Sequence, residues 1–145
     1  MTELTIKIGT YAEFGNAADI LRRKVFIDEQ GVPEEEVFDG LSVNALHSIA
    51  FDDKMPVATA RVLQDGTNYR IGLVAVDKAR RGQQFGERVM RKAMEYIASH
   101  GGREISLTAQ KQASGFYEKL GFEQCGEVVF YESGFILVPM KYVLK

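Results

Sequence analysis

A basic, glycine-containing loop, Arg80-Arg81-Gly82-Gln83-Gln84-Phe85-Gly86, runs straight into a stretch with helical periodicity. The first turn of a helix exposes backbone N–H groups that have no partner within the helix, and the helix dipole adds to their pull on an anion. Glycine lets a phosphate approach the backbone closely, and the two arginines add positive charge beside it. Such a segment suits the gripping of a phosphate or diphosphate. An ordinary basic turn before a surface helix is the competing reading. Rival phosphate motifs fail on spacing: neither Gly-x-x-x-x-Gly-Lys-Ser/Thr, the mark of a P-loop NTPase, nor Gly-x-Gly-x-x-Gly, the mark of a dinucleotide site, occurs.

The elements around the loop follow from apolar spacing. Tyr69 to Val76 is apolar on both faces, as in a strand in the middle of a covered sheet. Behind the loop, Phe85, Val89, Met90, Ala93, Met94 and Ile97 form a helical stripe that ends at Gly101-Gly102. Upstream, Leu4-Thr5-Ile6-Lys7-Ile8 alternates as a half-buried strand. Thr10 and Glu13 have capping-box spacing, and a helix of about four turns follows through Val25. That helix stops near Gly31-Val32-Pro33, and an acidic loop is expected from Glu34 to Asp39. His47 to Phe51 and Pro56 to Leu63 form an antiparallel meander with the central strand, through turns at Asp52-Asp53-Lys54 and Asp65-Gly66-Thr67-Asn68. Downstream, Ile105, Leu107 and Ala109 mark a strand. Ala113, Phe116, Tyr117 and Leu120 mark a helix capped at Gly121, and Phe122–Phe130 and Phe135–Leu144 supply the last strands. The predicted order is β-α-β-β-β-α-β-α-β-β. It describes a mixed α/β sheet, twisted, with helices on both faces and a parallel crossover at the loop.

With 145 residues, the chain is expected to be one domain over residues 1–145. Its 46% hydrophobic and 26% charged residues exclude wholesale disorder. A net charge of −2 disfavours a non-specific nucleic-acid binder. The lone Cys125 rules out a disulfide framework or a cysteine zinc cluster, and no metal is expected. Cys125 has no basic partner in view and reads as packing. No stretch approaches ~20 apolar residues and no secretory pattern opens the chain, so no membrane contact and a cytoplasmic location are expected.

The segment Ala113-Ser114-Gly115-Phe116-Tyr117-Glu118-Lys119-Leu120-Gly121-Phe122 follows a strand and lies downstream of the glycine loop. Together the two segments resemble the GCN5-related N-acetyltransferase (GNAT) superfamily, from the first helix to the last strand. Val25-Phe26-Ile27-Asp28-Glu29-Gln30-Gly31-Val32-Pro33 resembles a small bacterial branch of it, the ElaA/YjcF-like acetyltransferases. The resemblance implies the acyl-CoA N-acyltransferase fold, acetyl-CoA as cosubstrate, and transfer of its acetyl group to the primary amine of a small-molecule or peptide acceptor by direct attack. A non-catalytic acyl-CoA-binding or sensor module on the same fold is the alternative. The family's loop pattern is Gln/Arg-x-x-Gly-x-Gly/Ala. Arg81 and Gly86 match it, while Gln84 stands where the middle glycine is usual.

The resemblance also implies site residues. Arg81, Gly82, Gln83, Gln84, Phe85 and Gly86 would hold the pyrophosphate. Val74, Ala75 and Val76 would offer their backbone to the pantetheine arm and the thioester carbonyl, where the central strand and the Ile105 strand splay. Gln110 and Phe116 would border that arm. Tyr117 would stand near the sulfur as general acid, since a phenol titrating near ~10 can donate to a thiolate whose conjugate acid titrates near ~8.5. A core aromatic beside Phe116 and Leu120 is the plainer reading of Tyr117. Many relatives carry a glutamate on the central strand, but Ile71 to Val76 contains no acid. Glu29 and His47 are therefore the candidate bases, with a water chain as the third option. Phe26, Glu29 and Arg61 are the candidates on the acceptor side, where Arg61 would bind an acidic group or form a cross-strand ion pair. Glu34-Glu35-Glu36 with Asp39 would attract a cationic amine or form a solvated loop. Phe135 to Met140 is either a homodimer interface strand or core.

Overall fold

Thr10 starts the first helix as its spacing requires. Its hydroxyl accepts the Glu13 N–H, and the Glu13 carboxylate accepts the Thr10 N–H at 3.0 Å. The computed structural model describes residues 3–131 and 134–144. Strand β1 (Leu4–Thr10) leads into α1 (Tyr11–Arg22), which a π-helical segment, Arg23–Glu29, continues without a break. The wider π winding changes the phase at which side chains leave the axis, a device common at functional sites. Gly31, with φ of 71°, and Pro33 then end the helix. The expected acidic loop begins instead as one helical turn, α2 (Glu34–Val37), which Val37 pins by burying its side chain.

The remaining elements are β2 (Leu46–Asp52), β3 (Met55–Asp65), β4 (Asn68–Val76), α3 (Phe85–Ser99), β5 (Glu104–Gln110), α4 (Ser114–Lys119), β6 (Glu123–Gln124), β7 (Val129–Phe130) and β8 (Ile136–Val143). Among the described residues the strands form one sheet in the order β1-β2-β3-β4-β5-β8-β6, with β7 also on β8. Only β4 and β5 run parallel. The strand expected over Phe122–Phe130 is two short pieces. They pair with β8 at Met140–Lys141 and Ile136–Leu137, on either side of Pro139, which has no N–H for a ladder. β8 has β5 on one edge and β6 and β7 on the other; it buries Val138 and Met140, while Phe135, Ile136, Leu137 and Pro139 are half-buried.

Neighbouring residues of a strand face opposite sides of the sheet. On β2, the Ser48 hydroxyl donates to the Val89 carbonyl of α3, while His47 meets Arg22 of α1. The two long helices therefore cover opposite faces. Val89, Met90, Ala93 and Ile97 of α3 are fully buried against Ala58, Ala60, Ile71 and Ile105, each large side chain contributing on the order of 1.5–3 kcal/mol.

Two distortions of β4 shape the molecule. Thr59 pairs with Ala75 and Arg61 with Gly72, so Leu73 and Val74 together oppose Ala60. This is a β-bulge, and Leu73 takes a φ of 48° within it. The parallel ladder with β5 covers only Asn68–Glu104, Tyr69–Ile105 and Arg70–Ser106. Beyond Arg70 the strands part, while β5 continues against β8 as far as Gln110.

On the α1 face a buried polar network joins helix, sheet and the loop before β2. Arg22, fully buried, donates to Nδ1 of His47 at 2.8 Å, and Nε2 of His47 donates to the Ser42 carbonyl at 2.9 Å. Arg61 forks onto Asp39 at 2.8 and 3.1 Å and donates to the Ser42 hydroxyl at 3.2 Å. These contacts correct two expectations. His47 has both ring nitrogens engaged inside the protein, so it has no free lone pair with which to act as a base. Arg61 is committed to Asp39 and is 7% exposed, so it does not await an acidic substrate group.

Burial, and next to it the Arg22 charge, hold the His47 pKa below its usual value of 6.5. The unfolded chain then binds a proton on His47 that the folded protein refuses. This contribution to stability is present above about pH 6.5 and is lost as pH falls toward the depressed folded value. Denaturant unfolding should show that acid loss in the wild type. In His47→Gln it should be absent, with the variant about 2 kcal/mol less stable at neutral pH.

Candidate active site

Where β4 leaves β5, two clefts open and meet. One, of about 570 Å³, runs from the separating strands to the start of α3 and includes Val74, Val76, Gly82, Gln84, Gly86 and Lys119 in its lining. The other, of about 420 Å³, lies between the π segment, α2 and the final hairpin. Gln30, Val74, Ala113 and Tyr117 line both.

The backbone along this edge is available by geometry. Asp77 N–H donates to the Val57 carbonyl of β3 at 2.9 Å. Strand alternation then turns the N–H and C=O of Val76, and of Val74 before it, toward the side that β5 has left. Ala75 faces the other way: its backbone points to β3 and its side chain is buried.

At the far end of the first cleft the chain makes a short 3-10 turn, Lys78–Arg80, and then enters α3. Gly82 has φ of 83° and Gln84 φ of 66°; among the described residues no side chain caps the first turn of α3. The amides there stay bare and point to the cleft mouth, as an anion seat requires. Gly86 lets the helix start sit tightly on the strand, since a Cβ there would lie 3.2 Å from Val76 Cγ2 and 3.5 Å from Phe116 Cζ.

The cations are unequal. Arg80 is paired with Asp52. Arg81 forks onto Glu29 with both contacts at 2.6 Å and also donates to the Val76 carbonyl at 3.2 and 3.1 Å. The hydrogen bonds from Arg81 hold the Glu29 carboxyl below its usual range. A carboxylate so paired is a weak base, so Glu29 positions Arg81 at the cleft edge. Lys119 has no acidic partner among the described residues.

Tyr117, on α4, stands at the meeting of the clefts, packed edge-on against Phe116 and Phe122 with ring centroids 4.9 and 6.2 Å away. It is 9% exposed, and burial pushes its pKa up to about 12. Among the described residues nothing hydrogen-bonds its hydroxyl. Nearby, the Gln110 amide donates to the Gln30 carbonyl oxygen at 2.8 Å, tying the end of β5 to the end of the π segment.

The family model described as an acetyltransferase (GNAT) domain matches residues 16–144. The chain belongs to the GNAT acetyltransferase family. GNAT proteins are acyl-CoA-dependent acyltransferases, and the parted strands and bare α3 amides fit an acyl-CoA. Among GNAT relatives, the chain is 35% identical over 127 residues to the uncharacterized N-acetyltransferase YjcF of Bacillus subtilis (strain 168), covering 86% of this chain and 87% of that one. It is 32% identical over 113 residues to protein ElaA of Escherichia coli (strain K12), covering 74% of each. The crystal structure of Escherichia coli ElaA superposes with a TM-score of 0.82 at 27% identity, covering 97% of this chain and 99% of that one. An acyl-CoA N-acyltransferase from Pseudomonas aeruginosa superposes with a TM-score of 0.84 at 28% identity, covering 96% and 99%.

Of the residues expected at a GNAT site, Val74, Val76, Arg81, Gly82, Gln84, Phe85, Gly86, Phe116 and Tyr117 line the first cleft, and Phe26 and Gln110 line its neighbour. Gln83 is exposed on the loop outside both linings. His47, Arg61 and Glu29 line neither. Sequence reasoning missed Gln30, Leu73 and Lys119. Lys119 was visible as a cation within the Phe-Tyr-x-Lys-Leu-Gly-Phe segment, whereas Leu73 gave no signal, because a bulge with a leucine at positive φ has no sequence mark.

The positive φ of Gln84 explains the glycine usual at its position: the left-handed region costs a residue with a Cβ on the order of 1 kcal/mol. Gln84→Gly should therefore raise stability in urea unfolding by roughly 0.5 kcal/mol, after the glycine's extra unfolded-chain entropy is subtracted. A loss of stability would mean that the Gln84 side chain itself braces the loop.

Proposed function

We propose that this protein transfers the acetyl group of acetyl-CoA to the primary amine of an acceptor by direct attack. The observation that carries the reading is an unpartnered, buried phenol at the junction of two clefts. One of those clefts ends on bare helix amides, and the other is free to receive an acceptor.

The diphosphate sits on the first-turn amides of α3, with Gly82 allowing close approach and Arg81 and Lys119 adding charge. The pantetheine arm lies along the edge that β5 vacates and pairs with the backbone of Val76 and Val74, as an added strand would. At Val74 a backbone N–H polarises the thioester carbonyl. The lone pair of the neutral amine forms the N–C bond as the C–S bond breaks. The nitrogen's surplus proton leaves to water, and the sulfur takes a proton from the Tyr117 hydroxyl, which is refilled from water. With Glu29 paired and His47 interior, no side-chain base is assigned.

Burial makes Tyr117 a proton donor at every pH the protein meets, and the same desolvation raises the basicity of a departing sulfur beside it. Tyr117→Phe should lower kcat by about 10-fold or more with little change in coenzyme affinity. Because the phenol does not ionise in this range, the ratio of wild-type to variant kcat should stay level from about pH 7 to about pH 10. Equal turnover, or a ratio that collapses toward the alkaline end, would remove the acid role.

Calorimetry with acetyl-CoA and a thiol-release assay test the whole reading. Arg81→Glu should weaken coenzyme binding by at least about 10-fold. Failure of the wild type to bind acetyl-CoA at millimolar concentration would end the proposal.

A further inference from the structure

The second cleft has a wall whose chemistry selects an acceptor. Phe26, Val37, Ile71, Leu107, Phe135 and Leu137 make it largely apolar, and its volume of about 420 Å³ suits a small molecule. Some of its polar groups are already engaged. The Gln110 amide donates to the Gln30 carbonyl oxygen and accepts from Gln112 at 2.7 Å, and the Thr108 hydroxyl accepts from Arg70 at 2.8 Å. Neither Lys nor Arg lines the cleft among the described residues. Glu36 is its one charged side chain there; it lies exposed on α2 and has no partner. The Tyr117 hydroxyl, also unpartnered, marks the reacting end.

Resting on the acetyl-transfer reading, we propose that the acceptor is a small primary amine carried on an apolar alkyl or aralkyl body without a carboxylate, and that Glu36 favours it by attracting its ammonium at the cleft rim. An amino acid would bring a carboxylate toward Glu36 and onto a largely apolar wall that neither Lys nor Arg lines, Arg70 reaching it only through the Thr108 hydroxyl. An amino sugar would lose water from several hydroxyls on entering a largely apolar cleft in which Gln110 is already bonded to Gln30 and Gln112. An apolar body loses nothing on entering and gains by burying its surface.

The test uses the full chain with acetyl-CoA and follows thiol release with phenethylamine, hexylamine, glucosamine, glutamate and a lysine-containing peptide. Phenethylamine and hexylamine should exceed the other three in kcat/KM by about 10-fold or more. Glu36→Gln, an exposed and conservative change, should raise KM for phenethylamine by about 5-fold, and the rise of KM with added salt should flatten in the variant. Preference for the sugar, the amino acid or the peptide overturns the proposal. So does an unchanged KM and salt dependence in Glu36→Gln, or an absence of turnover with every amine despite acetyl-CoA binding. Calorimetry on the same preparation separates the two levels: no acetyl-CoA binding removes the acetyl-transfer reading itself, whereas binding with turnover of the wrong acceptor removes only the acceptor class.

Discussion

Below Arg70 and Ser106 two parallel strands that share a sheet stop sharing hydrogen bonds, and the candidate site depends on that parting. A strand interior cannot leave its N–H and C=O groups unpaired without cost, so a split of this kind persists only if something opposes its closure. Two features do. The bulge at Leu73 and Val74 adds a residue to β4 and bends it, and β8 holds β5 along its other edge as far as Gln110. The vacated edge keeps backbone groups without a strand partner, with the Val76 carbonyl accepting from Arg81.

Charge is distributed around that edge with little to spare. Arg80 and Arg81 look from their sequence like two free cations, yet each already has a carboxylate partner. Arg81 also caps the Val76 carbonyl, so one residue links the π segment, the strand edge and the loop before α3. A prepaid pair of this kind fixes where the guanidinium stands before a ligand arrives, which lowers the ordering cost of binding. The phenol of Tyr117 is the complementary case: a polar group kept without a partner, in a place where burial keeps its proton on.

The α1 face of the sheet carries a cross-linked polar network. Buried Arg22, His47 and Arg61 bond half-buried Ser42 and exposed Asp39 and fasten α1 to β2, β3 and the loop after α2. Arg22 Nε and Arg61 Nε are buried without a partner among the described residues, while the bonds the network does make leave its members little freedom to do anything else. The division between a closed polar face and an open polar edge explains why two residues that look reactive in the sequence are structural, while a tyrosine on an apolar stripe is the group left free.

Elements with a local code were legible in advance. The Thr10–Glu13 box, the α3 stripe, the Gly31–Pro33 stop and the strand order around the phosphate loop depend on neighbours within one or two turns, and they stand where spacing puts them. The family could be seen in the same way, since its marks are short runs. Tertiary structure alone decided the rest. The pairing of Arg81 with Glu29, 52 residues away, and of Arg22 with His47, 25 residues away, depends on which faces the folded sheet brings together. The bulge at Leu73 exists because β3 fixes the register on both sides of it, and Gln84 accepts a left-handed backbone because the loop must turn into α3 at that point. Local preference is written in adjacent residues, but whether a charged or polar group is free to react depends on what the fold packs against it.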